Sequence, residues 1–133
     1  MRRHRWIGRS LAAVGVLHSA VGVTATHGTL GAMVADGFWD TVGADPVRQS
    51  AFWFLVAGVA LLLVGALADA LEREGHPLPT SFTGGLLLLA VTGIVVMPTS
   101  GFWLVLVVAL GAVVRARRHV PRDAPLDRRP EVG

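Results

Sequence analysis

Residues 75–114 read GHPLPTSFTGGLLLLAVTGIVVMPTSGFWLVLVVALGAVV and contain no Asp, Glu, Lys or Arg. A helix needs about 20 residues to cross a hydrocarbon core of roughly 30 Å. The window is too long for one crossing and long enough for two. Its natural break is Met97-Pro98-Thr99-Ser100-Gly101. Pro removes a backbone donor and Gly relaxes the turn, so two helices are expected to meet there in a tight hairpin.

Two more charge-free windows lie upstream. Ser10 to Ala35 is bounded by Arg9 and Asp36, and Gln49 to Ala68 by Arg48 and Asp69. The predicted spans are 9–27, 50–71, 80–97 and 102–118, in one transmembrane domain over residues 1–118. Gly75-His76-Pro77-Leu78-Pro79 joins spans two and three. Residues 119–133 carry Pro121, Pro125 and Pro130 among charges and read as a disordered cytoplasmic tail. The expected fold class is all-α: an integral membrane four-helix bundle with a short interfacial helical segment between helices 1 and 2.

Composition agrees. The 133 residues fit one domain. Hydrophobic residues make up 53% and charged residues 16%, against roughly 25% charged in a soluble domain. Mean hydropathy is +0.58. So much apolar surface excludes disorder and leaves too few polar groups to clothe a soluble globule. The chain has no Cys, which excludes disulfides, thiolate catalysis and Cys-ligated zinc.

All 12 basic residues are Arg. A sequence pI near 11.3 suggests nucleic acid, but the positions do not. Arg2, Arg3, Arg5 and Arg9 lie at one end; Arg115, Arg117, Arg118, Arg122, Arg128 and Arg129 lie at the other. Such clusters beside apolar spans anchor the cytoplasmic face and meet lipid headgroups. The expected partner is therefore the lipid bilayer, with no nucleic acid. With the N-terminus inside, Arg73 joins these clusters and only Arg48 falls outside. Both termini are thus expected in the cytoplasm, in a multi-pass protein of the cell membrane. The pairs Phe38-Trp39, Phe52-Trp53 and Phe102-Trp103 then all fall at the outer interface, and Trp6 at the inner one. That is where amphipathic rings settle. The Arg-rich start followed by Val23-Thr24-Ala25 also resembles a secretory signal peptide. His18 and the apolar run beyond that point favour a retained span.

At 100° per residue, Gly8, Gly15, His18, Ser19, Gly22 and Thr26 share one face of span one. Ala51, Phe54, Gly58, Leu62, Gly65 and Asp69 share one face of span two, and Gly85, Leu89, Thr92 and Val96 one face of span three. Small faces let backbones approach closely in lipid, so these stripes predict the inward surfaces of a compact bundle.

The candidate functional side chains are His18, His27, Asp36, Asp40 and Arg48. An ionisable group inside a membrane is costly and usually faces the bundle interior. His18 therefore reads either as a general base, relay or ligand, or as an imidazole bonded to Ser19, Thr92 or a backbone carbonyl of a neighbouring helix. His27 lies nine residues further on, turned by 900° to the opposite face and raised about 13 Å, so the pair does not form a metal site. No metal or cofactor is expected. Asp69 precedes Arg73 by one helical turn and reads as an i,i+4 ion pair, with Arg115 as a further possible partner.

The segment His27–Gln49 is long for a connection. Leu30, Met33, Val34, Phe38, Trp39 and Val42 within it are spaced for short helices lying on the membrane surface. Its polar groups, His27, Asp36, Asp40, Asp45 and Arg48, admit two readings. They line a shallow pocket suited to proton transfer on a lipophilic small molecule. Alternatively Asp36 caps a turn, Asp40 pairs with Arg48, and nothing binds.

These pieces together resemble an uncharacterised family of small four-helix bacterial integral membrane proteins. They are Gly15-Val16-Leu17-His18 with Gly22, Asp36-Gly37-Phe38-Trp39, and Arg48 with Ala51-Phe52-Trp53-Phe54-Leu55. Pro77-Leu78-Pro79 follows, then Met97-Pro98 with Ser100-Gly101-Phe102-Trp103-Leu104. The match runs from about residue 10 to 110. The resemblance implies a four-helix membrane protein, makes His18, Arg48 and the Ser100–Trp103 turn part of the family pattern, and supplies no activity.

Three roles remain. The absence of phosphate, nucleotide or nucleophile motifs favours a non-enzymatic structural or accessory protein. His18 and the acidic loop are what a membrane-embedded isomerase or cyclase of a lipid or terpenoid would use. A small transporter or channel subunit is the third role, and it would need a homo-oligomer, since four short helices leave no room for a pore.

Overall fold

Turn chemistry sets the helix ends. Asp45 caps the second helix: its Oδ1 accepts from Val47 N at 2.8 Å and Arg48 N at 3.3 Å, and Pro46 takes the first turn, where no donor is needed. That helix stops at Gly75, whose φ of 80° lets the chain reverse while His76 N bonds back to Leu71 O at 2.9 Å. The third helix ends before Pro98. There Ser100 Oγ donates to Met97 O at 2.6 Å and Trp103 Nε1 donates to Pro98 O at 2.9 Å. The hairpin expected at Met97–Gly101 is thus present.

The computed structural model describes residues 6–37 and 39–118. It contains α1 (Ile7–Ala35), α2 (Pro46–Glu74), α3 (Thr80–Val96) and α4 (Phe102–Arg118), with no strand among the described residues. The tail expected at 119–133 lies outside the described residues.

Between α1 and α2 the structure departs from expectation. No separate surface helix is present among the described residues. Residues 27–35 continue α1, and the connection shrinks to the turns from Asp36 to Asp45. The continuation is bent, however: Thr26 leaves helical geometry, at φ −117° and ψ 15°. Hydroxyls compete for the helix carbonyls at this bend. Thr26 Oγ1 bonds Gly22 O at 2.7 Å, and Thr24 Oγ1 bonds Ala20 O and Val21 O at 3.0 Å. Such back-bonding bends helices. Leu30, Met33 and Val34, part of the spacing that suggests a surface helix, therefore belong to the arm of α1 beyond a kink, while Trp39 and Val42 lie in the connection.

Packing follows the glycines. Gly8, Gly15 and Gly22 on α1 are buried, as are Ala51, Gly58 and Gly65 on α2, each set repeating every seven residues. A Cβ on Gly65 would lie 2.5 Å from Ala12 N, and one on Gly15 would lie 2.9 Å from Leu62 N. The two backbones touch along this seam, as the stripes predict. The α3 stripe fails. Gly85 has nothing within 4 Å, and Leu89 and Val96 are exposed. The buried face of α3 is Thr83, Leu86, Ala90 and Gly93, where the Phe102 ring fills the space a Cβ would need.

The two hairpins meet through α1 and α4. Ile7 and Leu11 pack with Leu86, Ala90, Val105, Val108, Ala109 and Ala112. No Cα of α2 comes within 8 Å of one in α3 or α4 among the described residues. The helices therefore stand in the order α2, α1, α4, α3, a more open arrangement than the compact bundle expected. The physical reason is that only the α1 and α2 seams carry glycines facing each other, and α3 presents its open glycines to the outside.

Candidate functional site

At the loop end of the molecule, Arg48 gathers the turn residues. Its guanidinium donates to Asp36 Oδ2 at 2.7 Å and to Thr41 O at 2.9 Å, and its Nε lies 3.6 Å from Asp45 Oδ2. Asp36 is also the C-cap of α1, with its N–H bonded to Ala32 O. Arg48 thus ties the end of α1 to the start of α2. The expected pairing of Asp40 with Arg48 does not occur; Asp36 and Asp45 hold that arginine. Asp40 sits apart at φ 53° in the turn. His27 lies back along α1, exposed, with Nδ1–H donating to Thr24 O at 3.0 Å.

His18 is elsewhere. It faces α2, donating from Nε2 to Phe54 O at 3.0 Å and stacking on the Phe54 ring with centroids 4.0 Å apart. Phe54 is six residues past Arg48, about 9 Å along the helix. Of the three bonding partners foreseen for the imidazole, the neighbouring backbone carbonyl is the one used. Ser19 Oγ lies buried against Gly58 with no hydrogen-bond partner among the described residues. The His18 bond joins a side chain to a carbonyl that already serves its own helix. His18→Gln should therefore keep the fold and shift stability by no more than about 1 kcal/mol, read from thermal melts in detergent. A loss of several kcal/mol would mean that the imidazole carries more than this bond.

At the opposite end lies a cluster the sequence reading overlooked. Glu72 is buried, its side chain 1% exposed. Its Oε2 accepts from Gly8 N at 3.1 Å, and its Oε1 pairs with Arg115 of α4. The carboxylate therefore caps the N-terminus of α1, where orphan donors and the helix dipole favour an anion. Asp69 pairs with Arg73, as expected from their spacing. Arg115 chooses Glu72 rather than Asp69. The signal for Glu72 was available: residues 51, 58, 65 and 72 form one seven-residue series.

A cavity of about 390 Å³ runs along α2, lined by Leu30, Met33, Phe52, Leu55, Val56, Val59, Ala60 and Leu63. None of His18, His27, Asp36, Asp40 or Arg48 lines it. Among the described residues, no three His, Asp or Glu side chains gather as metal ligands. The structure thus brings Asp36, Asp45 and Arg48 together, and leaves His18, His27 and Asp40 apart from them and from each other's bonds.

Residues 2–119 match a family described only as a family of unknown function (DUF6463), and the chain belongs to that family. No curated protein and no solved structure matches it.

Proposed function

We propose that this family member is a small four-span protein of the cell membrane, with both termini cytoplasmic and a structural or accessory role rather than a catalytic one. The observation that carries the non-catalytic part is the dispersal of its polar groups. Asp45 and Glu72 cap helix ends, Arg48 and Asp36 bond each other, His18 is bonded to a helix carbonyl, and the cavity on α2 is lined by apolar side chains only. An isomerase or cyclase needs an acid or base facing its substrate.

Membrane insertion is supported by α1 and α2, both long and apolar enough to cross, and by the apolar though shorter α3. It is supported too by the large apolar side chains turned outward on all four helices, among them Leu17, Leu63, Leu88 and Val107. The Arg asymmetry supports the orientation.

Since the chain lacks Cys, single substitutions give clean labels. Ser50→Cys and Ser100→Cys should react with an impermeant maleimide on intact cells, and Ser81→Cys only after lysis. Strong labelling at position 81 with silence at 50 and 100 would overturn the orientation. Release of the protein from membranes by alkaline carbonate would overturn insertion itself.

A further inference from the structure

We propose that the cavity on α2 is a binding groove for one acyl chain of an outer-leaflet lipid with a zwitterionic, ammonium-bearing headgroup. This rests on the membrane reading above.

Three observations converge. The first is the shape. Phe52, Leu55, Val59 and Leu63 follow one another at three- and four-residue steps on one face of α2, with Val56 and Ala60 one position on from Leu55 and Val59. From Phe52 to Leu63 the helix rises about 16 Å, close to one leaflet, half of a hydrocarbon core of roughly 30 Å. The lining is apolar throughout, which suits a hydrocarbon chain and nothing more polar.

The second is the way the groove is closed at its head. Gly22 faces Phe54 and Leu55. A straight α1 would carry Met33, eleven residues on, about 16 Å beyond that level. The bend at Thr26 instead brings Leu30 and Met33 against the Phe52 side of α2. Gly28 and Gly31 on this arm have nothing within 4 Å. Past the kink, therefore, the close glycine seam ends, and Leu30 and Met33 meet α2 across the cavity instead.

The third is the charge at that head. Asp36 follows Met33 by three residues, and Arg48 precedes Phe52 by one turn. Their ion pair marks the polar rim, and Asp40 and Asp45 lie in the same turn segment. The two carboxylates of Asp36 and Asp45 against one guanidinium give the rim a net negative charge. A purely anionic headgroup is repelled there. An ammonium-bearing headgroup finds carboxylates for its cation, with Arg48 near for its phosphate.

The test is native mass spectrometry of the full chain released from bilayer nanodiscs of equal phosphatidylethanolamine and phosphatidylglycerol. One phosphatidylethanolamine per chain should be retained, favoured over phosphatidylglycerol by about threefold or more. Ala60→Trp fills the middle of the groove from an exposed position and should abolish that retention. Val56→Trp does the same from the neighbouring turn and serves if the first variant fails to fold. Equal retention by a folded, filled variant, preference for the anionic lipid, or a chain dimer in place of bound lipid would overturn the proposal. Position labelling at 50, 81 and 100 reports membrane insertion separately, so correct labelling without lipid retention sinks the groove alone.

Discussion

Gly65→Ala is expected to destabilise the protein by about 1 kcal/mol net, and Gly65→Leu by more, although alanine is the better helix former. The added Cβ would stand 2.5 Å from Ala12 N, 2.9 Å from Ala12 Cα and 3.0 Å from Gly8 O. All three are backbone atoms, so no side chain can swing aside and α1 itself must move. Overpacking of this kind costs typically 1–3 kcal/mol, against roughly 1 kcal/mol returned by helix propensity. Gly85→Ala supplies the opposite sign in the same molecule. Nothing lies within 4 Å of that position, so only the propensity gain is left, about 1 kcal/mol of stabilisation. Thermal melts of both variants in one detergent measure the contrast. Should Gly65→Ala and Gly85→Ala melt alike, the seven-residue seam is not a tight interface.

The contrast also marks what the amino-acid sequence makes legible. Charges bracket three apolar windows and Pro98 divides the third, so four helices and their hairpin can be read before any coordinates. On α1 and α2 the glycines recur at a seven-residue spacing against bulkier neighbours, which identifies the contacting faces. On α3 this fails for a physical reason. Ser81 to Val96 is apolar or small on every side, so no polar face opposes a buried one and Gly85 and Gly93 compete as equals. Phe102 decides between them by packing its ring onto Gly93, a contact set by the hairpin and invisible to periodicity. The kink at Thr26 is likewise a tertiary choice, since three hydroxyl back-bonds compete there with a continuous helix.

The candidate site was less legible than the fold. Arg48 and Asp36 were foreseen as polar chemistry on one side, and they do meet, but in a bond that closes a loop. Glu72 is hard to single out in the sequence because it sits between Asp69 and Arg73, where charges at a helix end ordinarily face water. Its place on the glycine face of α2 outweighs that local context.

Breaking the Glu72 cluster should have the largest effect of any polar substitution. Arg115→Leu leaves the Glu72 carboxylate 1% exposed, with the Gly8 N–H as its one remaining partner among the described residues. Removing one member of a buried pair costs about 3–5 kcal/mol. The loss falls where the architecture is thinnest. α2 and α4 make no close backbone approach, and this pair is the ionic tie between them among the described residues. Arg115→Leu should therefore loosen the two hairpins from each other while leaving the glycine seam of α1 and α2 intact. Glu72→Gln is milder, because an amide oxygen can still accept from Gly8 N. The double variant Glu72→Leu with Arg115→Leu removes both charges of the pair and should recover most of the loss. Melting curves of the singles and the double, with cysteine cross-linking between α2 and α4, distinguish the outcomes. If Arg115→Leu melts within about 1 kcal/mol of the parent, the pair behaves as an exposed surface bridge, and α1 and α4 hold the hairpins together through their apolar contact alone.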